Sequence, residues 1–231
     1  MIYVTVDLHG FPLEGLKTLL EKAGFTAQDE LYVLGDVIDR GPEGITLLRW
    51  MMCQPNVELI LGNHEEMMLE SAFLLEEITQ RSLDALTPET LDALANWLAN
   101  GGAPTISALR ALPAEDRAYI FDYLRDAPLF EIVSAGDRHF LLTHSGLGGF
   151  SSEKEIDDYG RDELLWNRPR LTDRYYENVT TVFGHTPTVN YGQEFAGKAI
   201  VTETWINIDT GAGWEFAPML LRLDDLQEFY L

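Results

Sequence analysis

Four of the five histidines in this chain stand where a hydrophobic stretch meets a turn, in the runs Asp7-Leu8-His9-Gly10, Gly62-Asn63-His64-Glu65, Thr143-His144-Ser145-Gly146 and Phe183-Gly184-His185-Thr186. A fifth run, Gly35-Asp36-Val37-Ile38-Asp39-Arg40-Gly41, lacks histidine but carries two aspartates and an arginine. Metals of intermediate hardness, such as Mn²⁺, Fe or Zn²⁺, are held by neutral imidazoles together with carboxylates, so this distribution points to a metal site. Asp7 and His9 are separated by one residue, a spacing that can put both side chains on one face of a turn leaving a strand. Asp36 could bridge two ions, one oxygen to each. Asn63 offers a neutral amide oxygen, and His144 and His185 could close a second site. Taken alone, each residue has a bland reading, as a loop histidine in a hydrogen bond or an aspartate capping a helix. Folding does not require ligand types to cluster at successive strand ends, and the combination carries the signal.

Short β-rich runs end where these residues begin: Ile2 to Val6, Leu31 to Leu34, Val57 to Leu61 and Phe140 to Thr143, with Thr180 to Phe183 and Trp205 to Ile208 repeating the arrangement. Such apolar runs bounded by glycine and aspartate predict strands buried on both faces. The polar groups then fall at the carboxyl ends of strands, where open α/β sheets place ligands. Helical periodicity over Leu13 to Ala23 and Glu43 to Met52 completes a β-α-β-α-β unit. From Glu65 to about Ala127 the pattern is helical, with segments near 67–81, 88–100, 104–112 and 114–126, and predicts an inserted cap. Mostly strands follow, from Leu129 to Val133 through Met219 to Leu223, which predicts a second, mainly antiparallel sheet.

Composition bounds the rest. A chain of 231 residues, 46% hydrophobic, suits one domain with one substantial core. Its 38 acidic and 16 basic residues give a formal charge of −22, which argues against a nucleic-acid footprint built from basic surface. Cys53 is the lone cysteine, so an intrachain disulfide is excluded and a buried, reduced thiol is expected. The opening Met1 to Val6 is too short and uncharged for a secretory signal, and no apolar run approaches ~18 residues; a cytoplasmic protein without a membrane partner is expected. Asn178-Val179-Thr180 reads as a chance sequon in that setting.

In order and rough spacing the motif runs resemble the phosphoprotein phosphatase branch of the calcineurin-like metallophosphoesterases, most of all the bacterial and bacteriophage lambda-type serine/threonine phosphatases. The resemblance spans residues 3–212 and extends to Asn100-Gly101-Gly102 with Thr105, Leu165-Trp166-Asn167-Arg168 and Ile208-Asp209-Thr210-Gly211. Val6 departs from it, standing where the family usually has glycine. The resemblance implies an α/β fold with a central β-sandwich of two mixed sheets flanked by helices. It implies that Asp7, His9 and Asp36 bind one divalent ion and that Asp36, Asn63, His144 and His185 bind the other, manganese being expected and iron or zinc possible. It also implies that His64 is the general acid, oriented by Asp39, and that Arg40 and Arg168 hold phosphoryl oxygens.

These roles make chemical sense. Two cations ~3.5–4 Å apart can share a hydroxide and place it in line with phosphorus. The alkoxide leaving from a serine or threonine ester is basic and needs a proton, which an imidazolium held by Asp39 could donate. Arginine's planar fork matches two phosphoryl oxygens. The expected activity is therefore hydrolysis of phosphoserine and phosphothreonine, with phosphotyrosine an extension, in a phosphoprotein or phosphopeptide; a monomer is favoured. A diadenosine tetraphosphate hydrolase of the same branch is the alternative, and a noncatalytic scaffold a third reading. Among weaker features, Asp209 either orients a ligand histidine or pairs with backbone. Met67, Met68, Phe73, Leu74 and Leu75 read as cap core, the acidic run Glu153 to Asp158 as a solvated loop, and His139 is given no function.

Overall fold

The computed structural model describes residues 1–75 and 86–231. β1 (Ile2–Thr5), β2 (Glu30–Val33) and β3 (Val57–Leu59) are joined by α1 (Leu13–Ala23) and α2 (Gly44–Met51), as the periodicity predicts. The three strands are parallel. α3 (Asn63–Glu70) follows β3 directly, and after it come helices Pro88–Ala99, Ala103–Arg110 and Ala114–Asp126. The predicted helix over 67–81 runs partly outside the described residues. The later strands are β4 (Phe130–Ala135), β5 (Arg138–Thr143), β6 (Thr180–Phe183), β7 (Ile200–Val201), β8 (Trp205–Asn207), β9 (Leu220–Arg222) and β10 (Gln227–Phe229).

Two five-stranded sheets result, ordered β10-β9-β1-β2-β3 and β4-β5-β6-β8-β7. Neither matches the expected antiparallel carboxyl-terminal sheet. In the second sheet the central pairs β5–β6 and β6–β8 are parallel, and only the edge pairs are antiparallel. Residues 144–179 provide a connection long enough for a parallel crossover, yet hold only the 3₁₀ turn Ile156–Asp158 and the short α-helix Arg161–Leu165, too little for a helical period to register. β9 leaves the carboxyl-terminal half altogether and pairs antiparallel with β1, Val4 opposite Leu221. Both sheets are thus mixed.

Adjacent residues of one strand feed different cores, because successive side chains point to opposite faces. Tyr3 joins a cluster with Leu16, Leu19, Leu48 and Met67, whereas Val4 faces Phe140, Leu142, Val182 and Ile206 between the sheets. On the second sheet's outer face, Leu141, Phe183 and Trp205 pack with Leu147 and Tyr175 from the long crossover. Trp97, Leu109, Ile120 and Leu124 of the inserted helices enter the same cluster as α1 to α3, so the insertion is anchored on the sheet's helical layer. Met67 and Met68 are buried there as expected, Phe73 is half-buried, and the side chains of Leu74 and Leu75 lie outside the described residues. Cys53 is exposed, contrary to expectation: it lies in the turn closing α2, its N–H bonded to the Trp50 carbonyl, with its side chain outside the core. Among the described residues no helix is long and apolar enough to cross a membrane.

Candidate metal centre

Among the described residues, six of the seven non-glycine residues with positive φ are Asp7, His9, Asp36, Asp39, Arg40 and His185. Such backbone costs on the order of 1–3 kcal/mol per residue and persists only where its surroundings enforce it. Here the enforcing groups are visible. Glu65, fully buried at the start of α3, accepts from Asp36 N (2.8 Å) and Gly62 N (3.1 Å) with one oxygen, and from Val37 N (2.9 Å) and Ile38 N (3.3 Å) with the other. The loops after β1 and β2 are stitched together by His9 N to Asp36 O and Gly10 N to Val37 O, both 2.8 Å. His185 N donates to Asp7 Oδ2 at 2.8 Å and ties in the loop after β6. Two glycines let these loops approach: a Cβ on Gly62 would lie 2.3 Å from Asp36 N, and one on Gly184 would lie 2.2 Å from Asp7 Oδ2. The Gly184 Cβ would also meet Val6 Cγ1 at 2.5 Å, so the valine at the family's glycine position fits against bare backbone across the sandwich.

The predicted residues converge. His9 Nε2 lies 3.7 Å from Asp7 Oδ1 and 3.6 Å from Asp36 Oδ2, while His144 Nε2 lies 3.5 Å from Asp36 Oδ1. Asp36 therefore turns one oxygen to each group of histidines, the arrangement a bridging carboxylate needs. Asn63 Oδ1 sits 2.7 Å from His144 Nε2 and 2.9 Å from His185 Nδ1. The His144 ring is neutral, burial lowering its pKa, and its Nδ1–H donates to Leu34 O at 2.7 Å. Its Nε2 consequently aims a lone pair at Asn63 Oδ1, another acceptor. Two acceptors at that distance repel, and a cation held by both removes the conflict. His9 is fixed likewise, Nδ1 bonded to Ile38 O at 3.1 Å, and burial drives its pKa to about 3 and that of His185 to about 2. All three rings are in the form that binds metal.

His64 behaves differently. Burial opposes its charge, but Asp36 and a 2.6 Å bond from Nδ1 to Asp39 Oδ2 outweigh it and raise its pKa. Its Nε2 faces the centre, 3.7 Å from Asp36 Oδ2 and 3.4 Å from Arg40 Nη2, so position alone also permits ligation. Two residues that sequence reasoning gave no role hold the Asp39 carboxylate: Trp97 Nε1 donates to Oδ2 at 2.8 Å and Thr105 Oγ1 to Oδ1 at 2.6 Å. Both come from the inserted helices. Glu65 was likewise unassigned, and its only sequence signal was its place in the Gly62-Asn63-His64-Glu65 run. Burial, then the Asp36 charge, pushes its carboxyl upward while the backbone N–H groups of Asp36 and Ile38 oppose this, and its bonds are those of a carboxylate.

Burial opposes the charge on Asp36, but the histidine cluster around it, with the raised-pKa His64 among its members, holds the carboxyl below its usual range. Asp7 and Asp209 move the other way: burial, then neighbouring carboxylates, raise Asp7 well above its usual value, and burial brings Asp209 to about 7. Asp209 accepts from Gly211 N at 2.9 Å and has no bond to a ligand histidine, which decides between its two sequence readings. Arg40 and Arg168 face a common hollow of about 440 Å³ with Asp7, His185 and Asp209. Elsewhere, residues of the 153–158 run are exposed apart from Lys154 and Ile156, and exposed His139 bonds to Ser134 Oγ across its hairpin.

Residues 1–227 match the calcineurin-like phosphoesterase family. The chain is 34% identical to the symmetrical bis(5'-nucleosyl)-tetraphosphatase of Erwinia tasmaniensis, over 98% of this chain and 95% of that protein. Its match to the enzyme of that name from Cellvibrio japonicus is 40% identical but shorter, 42% of this chain and 37% of the other. Among solved structures, one described as a candidate diadenosine tetraphosphatase aligns with TM-score 0.68 at 16% identity, covering 100% of this chain and 92% of that one. A serine/threonine phosphatase from Saccharomyces cerevisiae aligns with TM-score 0.57 at 14% identity, covering 100% and 79%.

Proposed function

Because the chain belongs to the calcineurin-like phosphoesterase family, and so is a metal-dependent phosphoesterase, we propose that it hydrolyses dinucleoside polyphosphates to nucleotides. The observation that carries this reading is the hollow of about 440 Å³ at the ligand cluster, which has room along its two arginines for a chain of phosphates as well as for one phosphoryl group. The name of a relative aligned over nearly its full length agrees with it. The order of substrates expected from the motifs, phosphoprotein first and dinucleotide second, is reversed.

The residues fit the dinuclear centre the family implies: Asp7, His9 and Asp36 would hold one ion, and Asp36, Asn63, His144 and His185 the other, with manganese the first choice. When bound, the ions supply Lewis-acid charge and a nucleophile at neutral pH. Arg40 and Arg168 grip phosphoryl oxygens with planar forks and offset the charge that develops on them. His64, held in one orientation by Asp39, carries a proton on Nε2 toward the oxygen that departs as its bond to phosphorus breaks. Asp39 is kept from turning by Trp97 and Thr105.

One observation favours the second reading, a phosphoserine and phosphothreonine phosphatase. A braced proton donor matters most for an alkoxide, whose conjugate acid is close in strength to water at about 15.7, and less for a terminal phosphate with pKa about 6. A panel after manganese loading separates the two: diadenosine tetraphosphate, a phosphoserine peptide, a phosphotyrosine peptide and p-nitrophenyl phosphate. Preference for the dinucleotide by kcat/KM is expected. Preference for the phosphoserine peptide would reverse the assignment, and inertness toward all four would support the noncatalytic scaffold.

A further inference from the structure

Beside the arginine-lined hollow lies a second one, of about 210 Å³, and the two share Pro187, Val189 and Trp214 as lining. Its remaining wall is Gln193, Gly211, Glu215 and Phe216. The two hollows differ in chemistry. One offers cations and metal ligands; the other offers two aromatic rings, an amide and a carboxylate, a poor host for phosphate and a good one for an uncharged heteroaromatic ring bearing a diol.

The segment between them is firmly built. Gly213 has φ +82°, and a Cβ there would lie 2.5 Å from His9 Cβ, so the turn carrying Trp214 rests on a ligand residue. Trp214 N bonds to Gly211 O at 3.2 Å, and Thr210 Oγ1 bonds to Ala217 O at 2.7 Å across the turn. Phe216 is wedged between glycines: a Cβ on Gly197 would lie 2.8 Å from its ring and one on Gly211 3.3 Å. Trp214 is nevertheless 69% exposed, with the Arg40 guanidinium over its ring at 4.8 Å from the centroid. Burial does not account for a large apolar ring held out on this turn. A ring that already stacks a phosphate-gripping arginine is well placed to stack a base as well.

We propose that this second hollow is a nucleoside subsite: a nucleobase stacks on Trp214 beside Phe216, Gln193 hydrogen-bonds the base edge, and the Glu215 carboxylate accepts from the ribose diol, while the attached phosphates run past Arg40 to the metal centre. This rests on the dinucleoside polyphosphate reading and explains how a shared metal core would select a nucleotide over a phosphopeptide.

The test compares kcat/KM for diadenosine tetraphosphate with that for p-nitrophenyl phosphate in wild type, Trp214→Ala, Trp214→Phe and Gln193→Ala, all manganese-loaded. Base stacking on an aromatic side chain is worth about 1–3 kcal/mol, so Trp214→Ala should lower the dinucleotide-to-nitrophenyl ratio about 5- to 150-fold and Trp214→Phe should restore most of it. Gln193→Ala should lower the ratio by a smaller factor. An unchanged ratio in all three variants, in an enzyme that cleaves the dinucleotide, would overturn the subsite and leave the substrate reading standing. A wild-type enzyme that cleaves p-nitrophenyl phosphate but not the dinucleotide would overturn both.

Discussion

Replacing Asp39 by asparagine tests the proton-donor reasoning most sharply, because the change keeps shape and removes charge. The carboxylate is fully buried and receives three donors: His64 Nδ1 at 2.6 Å, Trp97 Nε1 at 2.8 Å and Thr105 Oγ1 at 2.6 Å. An asparagine can leave its carbonyl oxygen toward His64 and Trp97 and turn its amide toward the Thr105 hydroxyl, so the fold should survive. What disappears is a charge-assisted bond to the imidazolium, worth about 1.5–3 kcal/mol. That corresponds to roughly 1–2 units off the His64 pKa, at 1.36 kcal/mol per unit. The loss should fall on kcat in proportion to how much proton the leaving oxygen needs in the transition state. For a phosphoserine peptide kcat should drop about 10- to 100-fold, the same free energy expressed as rate. For p-nitrophenyl phosphate, whose leaving group departs unaided, the drop should be a few-fold at most, with diadenosine tetraphosphate between. Steady-state kinetics on the three substrates, with metal content measured in parallel, reads this directly. An equal fall on all three with full metal content would refute the reasoning, since Asp39 would then act only by holding the loop in place.

Three further outcomes are expected. His64→Asn should cut turnover of the phosphoserine peptide by about 10²–10⁴-fold, the range for a positioned general acid, with both metals retained; loss of one metal equivalent by elemental analysis would make His64 a ligand. Glu65→Gln places an amide NH₂ against backbone N–H donors that now share a carboxylate, and should destabilise the metal-free protein by about 2–4 kcal/mol in denaturant unfolding, whereas an unchanged midpoint would mean that Glu65 does not hold the strained loop. Asp7 and Asp209 have raised pKa values in the metal-free fold, so the stability they permit is present at low pH and lost as pH rises through about 7. Cations reverse that penalty. The rise in Tm produced by manganese should therefore be larger at pH 8 than at pH 6, and an equal or smaller rise at pH 8 would contradict the assignment.

How much of this was legible beforehand follows from distance along the chain. The β-α-β-α-β unit and the limits of α1 could be read because apolar periodicity is a local property, and the candidate ligand residues could be read because each follows the strand that delivers it. Thr105 was visible only as part of a motif and Trp97 not at all. Their partner Asp39 lies in another loop, and nothing in helix Pro88–Ala99 or helix Ala103–Arg110 reveals which of their polar groups faces it. The exposure of Cys53 was misread because free cysteine is usually buried, and the turn after α2 overrides that preference.

By itself the sequence determined the kinds of candidate ligand, their order, and their delivery to strand ends, since those depend on side-chain chemistry and on periods of 2 and 3.6 residues. Only the tertiary structure decided which groups meet. Sheet order brought β9 back beside β1, made the second sheet parallel at its centre, and let Val6 rest against Gly184. It also split the two oxygens of Asp36 between His9 and His144 and set Trp214 beside Arg40. Such meetings join residues tens to hundreds of positions apart, and their energy comes from burial and hydrogen bonds formed once the sheets stack, which local spacing does not encode.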